Sequence, residues 1–189
     1  MRSAIEARYS GAQRIFHWVT ALAMLVILVL GWIMQPGKDG PEMATLWEIH
    51  KTFGVLVFLI TAARLVWRHY DPPPPAPPGQ PDWDHKLANM TYAVFFLALL
   101  WFPATGYVYS TAGGHPPILF GMMPTPQLLP IDKEVAAWGK SLHRLSQWPL
   151  YALILLHLAG VFYHVSVRRD GMLDRMLPAQ KPYGKNDDK

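Results

Sequence analysis

Eight histidines stand in a chain of 189 residues that has no cysteine. Four of them fall where an imidazole is expensive, inside or at the start of long apolar runs, and there it must be paired or bound to something. His143 and His157 are 14 residues apart. At about 3.6 residues per turn this is nearly four turns, so both rings leave one helix from almost the same face. At about 1.5 Å per residue they are about 21 Å apart in depth. His50, near the start of an earlier run, offers a partner at the level of His143. His17, near the start of the first run, offers one at the level of His157. Two imidazoles from different helices can fill both axial positions of an iron porphyrin. That leaves no open position for oxygen and suits electron transfer. Two such sites in depth would form a wire across a bilayer. Spacing alone leaves a rival: His164 lies seven residues beyond His157 on roughly the same face, and by depth it matches His17 at least as well.

The elements that would position these rings are apolar runs of bilayer length, about 20 residues each. They are Ile15–Met34, Phe53–Trp67 (extended back toward Leu46), Met90–Tyr109 and Trp148–Val167. Pro149 sits near the start of the last, which can begin earlier, around Glu134. The expected spans are about 14–34, 46–68, 86–109 and 136–168. The expected fold is an all-α membrane protein, a single domain over 1–189 built as an up-down four-helix transmembrane bundle. Pro103 falls inside the third span, where membrane helices tolerate proline. The first run is longer than the 7–15 residues of a signal core and lacks a small-x-small cleavage site, so it reads as an anchor. Asp71–Pro81 is a proline-rich connector that cannot be helical. Ala112–Ile131, with three Gly and five Pro, reads as a loop outside the bilayer.

Composition narrows the chemistry further. Hydrophobic residues make up 51% and charged residues 16%, against about 25% charged in soluble domains. Without cysteine there are no disulfides, iron–sulfur clusters or thiolate zinc sites. The net charge of +4 does not point to nucleic acid, because the basic residues flank apolar runs. Arg2, Arg8, Arg14, Arg64, Arg68, Lys86, Arg168, Arg169, Arg175, Lys181, Lys185 and Lys189 fall on one side. Lys38, Lys51, Lys133, Lys140 and Arg144 fall on the other, and together these are the 17 available. The positive-inside bias puts both termini in the cytoplasm, with the other side facing a periplasm or similar space.

Other residues carry weaker signals. Gly31, Gly54, Gly106 and Gly160 permit close approach of a helix or a macrocycle. Arg64 and Arg68, one turn apart, could pair with porphyrin propionates or snorkel to headgroups. His85, placed just before the third span, reads as interfacial or as a contact to a propionate or quinone. His69 and His115 read as solvated loop residues. Lys51, Lys133, Lys140 and Arg144 around His50 and His143 could steer an anion inward.

Taken in order, several segments resemble the bacterial cytochrome b561 family, related to the cytochrome b subunits of nickel–iron hydrogenase and formate dehydrogenase. They are Arg14-Ile15-Phe16-His17-Trp18; Ile49-His50 with Gly54, Arg64 and Arg68; the run Pro72–Pro78; Gly113-Gly114-His115-Pro116 with Phe120-Gly121 and Pro124; and His143 and His157 followed by Asp170-Gly171 and Arg175-Met176-Leu177-Pro178. The resemblance implies two haem b groups, with iron held by His50 and His143 at an outer site and by His17 and His157 at an inner one. It thus prefers His157 to His164. It also implies oxidation of superoxide outside and reduction of ubiquinone in the membrane. The alternative is an electron-transfer subunit between quinone and a redox partner protein, such as a dehydrogenase or soluble cytochrome. A third reading is a haem-free transporter that uses its histidines for protons.

Overall fold

Helix starts follow local chemistry. In the computed structural model, which describes residues 8–34, 40–76 and 79–178, α1 spans Gly11–Ile33. Its cap is Ser10, whose side chain accepts from the Gln13 amide while the Gln13 side chain returns to the Ser10 amide. That reciprocal box satisfies two otherwise orphaned donors. Helix α2 (Pro41–Tyr70) opens on a proline, whose missing N–H is harmless in a first turn. Helix α3 runs Asp82–Ala112. Helix α4 (Lys133–Phe162) is capped by Asp132, which accepts from the Glu134 and Val135 amides. It continues as a π-helical turn over Tyr163–Arg168, and a 3₁₀ turn follows at Leu173–Arg175.

All four helices are long and apolar enough to cross a membrane. Consecutive helices pack on one another. The ring closes where α1 meets α4, through His17 against His157 and Trp32 stacked on Tyr151. This is the expected up-down four-helix transmembrane bundle. Its surface has the polarity of a lipid-facing protein. Leu22, Trp32, Leu97 and Leu155 are each more than 60% exposed, while Thr20, Thr52, Thr61, Thr105 and Thr111 are buried. Lipid offers no penalty to the first set, and the hydroxyls of Thr20, Thr52, Thr105 and Thr111 donate to carbonyls inside the protein. Among the described residues a small core of Ala23, Ile27, Val57 and Leu99 lies between the helices, backed by Met24, Phe53 and Phe95.

The ends of the bundle differ. At one, the start of α1 and the residue before its cap meet the segment that follows α4. The Tyr9 amide donates to the Arg175 carbonyl at 3.2 Å. Arg14 donates to the Leu177 carbonyl at 2.8 Å and the Trp18 indole to the Met176 carbonyl at 3.0 Å. We call this the clasp end. At the other, a short antiparallel hairpin, β1 (Ile118–Leu119) and β2 (Met123–Pro124), folds back onto α2. Its Ile118 amide reaches Glu48 and its Phe120 amide reaches the Thr52 hydroxyl. We call this the hairpin end.

Three expectations need correction. The 112–131 loop contains that hairpin, because strands of two residues leave no alternation to read. His69 lies in the last turn of α2 and not in a loop, though it is exposed as expected. His85 lies in the first turn of α3 and not before it. In both places the helix outruns the apolar stretch, since a backbone keeps its hydrogen bonds beyond the hydrocarbon. His115 is an exposed loop residue as expected. Arg2, Lys38, Pro77, Pro78, Lys181, Lys185 and Lys189, used in the sequence argument, lie outside the described residues.

Candidate functional site

The structure brings four of the eight histidines together as two pairs, one toward each end of the bundle. His17 of α1 and His157 of α4 have ring centroids 6.2 Å apart. His50 of α2 and His143 of α4 also have centroids 6.2 Å apart. That number can be tested against chemistry. A first-row metal sits about 2 Å from an imidazole nitrogen, and the ring centre lies roughly 1 Å beyond. Two imidazoles sharing one iron on a common axis therefore stand roughly 6 Å apart, centroid to centroid. Both pairs meet this. Among the described residues no group of three or more His, Asp or Glu side chains could hold a metal ion alone. A donor set of two imidazoles fits a metal whose other ligands come from a macrocycle.

The surroundings fit a flat, bulky group at the hairpin end. A cavity of about 780 Å³ opens beside His50 and His143, lined also by Gly31, Gly54, Lys140 and Arg144. Cofactor pockets run about 300–1,000 Å³. A Cβ placed on Gly106 would stand 3.0 Å from His143 Cε1, and one on Gly31 would stand 3.9 Å from His50 Cε1. Both glycines therefore face an imidazole. Gly54 and Gly160 have nothing within 4 Å of an added Cβ, so neither marks a close helix contact, and Gly54 borders the cavity. Sequence reasoning passed over Gly139, where a Cβ would lie 2.7 Å from the Tyr109 amide nitrogen. It sets the close crossing of α3 and α4.

At the clasp end the wall is aromatic and cationic. Phe95 meets His157 edge-on, with centroids 5.5 Å apart. The Arg64 guanidinium lies over Phe96 at 5.5 Å, and that of Arg68 over Tyr92 at 5.8 Å. The Tyr92 hydroxyl meets that of Tyr9 at 3.2 Å. Burial and then the facing Tyr92 push the Tyr9 phenol well above its ordinary pKa. Neither arginine reaches a carboxylate among the described residues, so both remain available to an anionic group.

His164 stands elsewhere. Its Nδ1 lies 2.7 Å from Asp170 and its Nε2 lies 3.6 Å from Asp84. Arg168 joins both carboxylates, at 3.0 Å from Asp170 and 3.6 Å from Asp84. The seven residues after His157 carry His164 about 10 Å further along the helix, into this charged cluster at the bundle end. His85 is exposed and bonds to Asn89 at 3.0 Å. Of the hairpin-end cations, Lys51 pairs with Glu48, and Lys140 lies over the Tyr109 ring at 5.8 Å. Sequence reasoning also missed Phe102 and Thr105 of α3, which touch His143.

Four apolar helices closed around paired imidazoles define a class: a membrane-embedded b-type cytochrome that works in electron transfer. The comparisons place the chain within it. The family model described as prokaryotic cytochrome b561 matches residues 8–179, and the chain belongs to that family. It is 28% identical over 171 residues to cytochrome b561 homolog 2 of Escherichia coli (strain K12), covering 90% of this chain and 91% of that protein. It is 25% identical over 178 residues to cytochrome b561 homolog 1 of the same organism, covering 92% and 99%. It is therefore a multi-pass bacterial membrane protein, and its family implies haem b.

Proposed function

We propose that this chain holds two haem b groups, one between His50 and His143 and one between His17 and His157, and carries electrons across the membrane between them. The observation that carries this reading is the repeated 6.2 Å separation of the two pairs. Bound haem would supply a one-electron iron couple, held by these imidazoles. The residues do the rest. The four imidazoles fix the levels, Gly31 and Gly106 keep the space open, and Arg64 and Arg68 supply positive charge for propionates at the clasp end. By the charge bias, the clasp end faces the cytoplasm of the inner membrane and the hairpin end faces outside.

The reaction proposed for this wire is superoxide oxidation outside and ubiquinone reduction in the membrane. Each superoxide gives up one electron and leaves as dioxygen. Two electrons and two protons from solvent convert ubiquinone to ubiquinol. Lys140 and Arg144 line the hairpin-end cavity and would draw an anion toward it. Two measurements test this. Haem content of the purified protein should be two per chain. Stopped-flow mixing with superoxide should reduce the haems within the mixing experiment, and ubiquinone should reoxidise them. Haems that stay oxidised under superoxide would end the enzymatic reading.

A second reading has its own observation. At the hairpin tip Phe120 is 62% and Met122 81% exposed, an apolar knob suited to a docked redox partner protein. In that case a co-purified dehydrogenase or cytochrome, and not superoxide, would reduce the haems.

A further inference from the structure

Helix α3 carries none of the four paired histidines, yet it builds the wall behind one of them. His143 Nδ1 lies 3.0 Å from the Phe102 carbonyl oxygen and 3.3 Å from Thr105 Oγ1. A carbonyl only accepts, so Nδ1 carries the hydrogen and Nε2 keeps its lone pair. The Thr105 hydroxyl donates to the same carbonyl at 2.7 Å, which leaves its own lone pairs to face Nδ1–H. Thr105 is 5% exposed, so solvent does not compete for these bonds. The Phe102 ring lies against the imidazole, with centroids 4.2 Å apart and planes at 32°. Gly106, one residue on, lets the ring in: a Cβ there would stand 3.1 Å from Nδ1. Pro103 sits between these residues and cannot donate to the carbonyl of Leu99.

The other three imidazoles lack such a socket. Among the described residues, neither His17 nor His157 makes a ring hydrogen bond. His50 Nδ1 is buried near the Ile27 backbone without a hydrogen bond of ordinary geometry. A histidine that donates its distal N–H becomes a more basic ligand at the other nitrogen. A stronger axial donor stabilises ferric over ferrous iron, which lowers the potential.

On the reading that His50 and His143 hold a haem, we infer that Phe102, Thr105 and Gly106 form a socket that fixes the tautomer of His143. The socket thereby lowers the reduction potential of the hairpin-end site. Thr105 is a positioning residue, since it acts through His143. The consequence is directional: the socket biases electron flow from the hairpin end toward the clasp end.

Potentiometric titration of the purified holoprotein tests this, following the two haem waves in wild type, Thr105→Val, Thr105→Ser and His143→Ala. The wave that disappears in His143→Ala identifies the hairpin-end site. In Thr105→Val both haems are kept and that wave alone moves positive. The expected shift is about tenfold in the ferric-to-ferrous ratio, about 59 mV for a one-electron couple. Thr105→Ser, which keeps the hydroxyl, stays at the wild-type position. An unmoved wave, an equal shift of both waves, or loss of haem from Thr105→Val would overturn the inference. Retention of both haems in His143→Ala would instead overturn the ligand reading beneath it, which keeps the two failures distinct.

Discussion

The two histidine pairs share a separation and little else. The hairpin-end pair has a glycine-faced cavity, three cations along its lining and a histidine held by a carbonyl and a hydroxyl. The clasp-end pair has an aromatic wall, two arginines over rings and no ring hydrogen bond among the described residues. The same two-imidazole geometry can therefore be built from different neighbours. On the proposed reading the means of tuning differ: hydrogen bonding to a histidine at one level, arginines without a carboxylate partner among the described residues at the other. Helix α3 serves both, since Phe102 and Phe95 are seven residues apart, two turns on one face.

The largest effect should come from removing a ligand. His143→Ala is expected to lower haem content from two per chain to one, and His157→Ala to do the same at the other level. Their difference spectra should be complementary. His50→Ala should match His143→Ala, and His17→Ala should match His157→Ala. Reduced-minus-oxidised spectra and haem extraction read this directly. If His164→Ala emptied the clasp-end site instead, the pairing of His17 with His157 would be wrong.

Next in size is a contrast between two glycines. Gly106→Ala puts a methyl 3.0 Å from His143 Cε1, so the imidazole must give by a few tenths of an ångström and its bond to Phe102 suffers. Disturbing such a support costs about 10–100-fold in metal-site affinity, here at the hairpin end only. Gly31→Ala puts its methyl at 3.9 Å from His50, an ordinary contact, and should lose no more than a few-fold. Haem retention during chelating or detergent washes measures both. Equal losses in the two variants would mean that the socket on α3 has no special role.

The sequence made much of this visible, and its limits were physical. Depth was legible because 14 residues is nearly a whole number of turns, and because His17 and His50 each sit near the start of runs that cross in opposite directions. The choice between His157 and His164 was not legible from spacing, since both lie on one face. It depends on where the apolar stretch ends and Asp84, Arg168 and Asp170 begin to gather. The socket was hidden for another reason. Helix α3 is apolar on every face between Met90 and Phe102, so no periodicity says which side meets α4. That side is set by Gly139 against Tyr109, a contact between two segments far apart in sequence. Only Gly106 left a trace, as one small residue among several.

A moderate effect is expected from Arg64. Its charge is close enough to act on both His17 and His157, and positive charge favours the reduced, less positive iron. Arg64→Gln should therefore lower the clasp-end potential, by on the order of 1 kcal/mol at an intermediate effective dielectric, and leave the hairpin-end wave in place. This is the mirror of Thr105→Val, which raises the other wave. A shift of both waves in Arg64→Gln would mean that the two levels are not independently tuned.

The smallest effect concerns pH, and it too belongs to one end. Asp170 lies beyond the last span. Desolvation pushes its carboxyl up, but hydrogen bonds from His164 and the Met172 amide, the His164 charge and the Arg168 guanidinium outweigh this. The net pKa is below the ordinary value of 3.8. A carboxyl depressed in the folded state is protonated more readily when its surroundings come apart. The stability it lends is therefore complete above the ordinary value, and it is lost as pH falls through 3.8 toward the depressed one. The segment that should loosen is 170–177, which carries the clasp. The protection of the Met172 and Arg175 amides against hydrogen exchange should fall below about pH 4, while that of the hairpin-end amide of Phe120, whose partner is the Thr52 hydroxyl, should hold. Asp170→Asn should exchange faster at neutral pH and show less further change in acid. If wild type and Asp170→Asn respond to acid alike, the carboxylate is not what ties the end of α4 to the clasp.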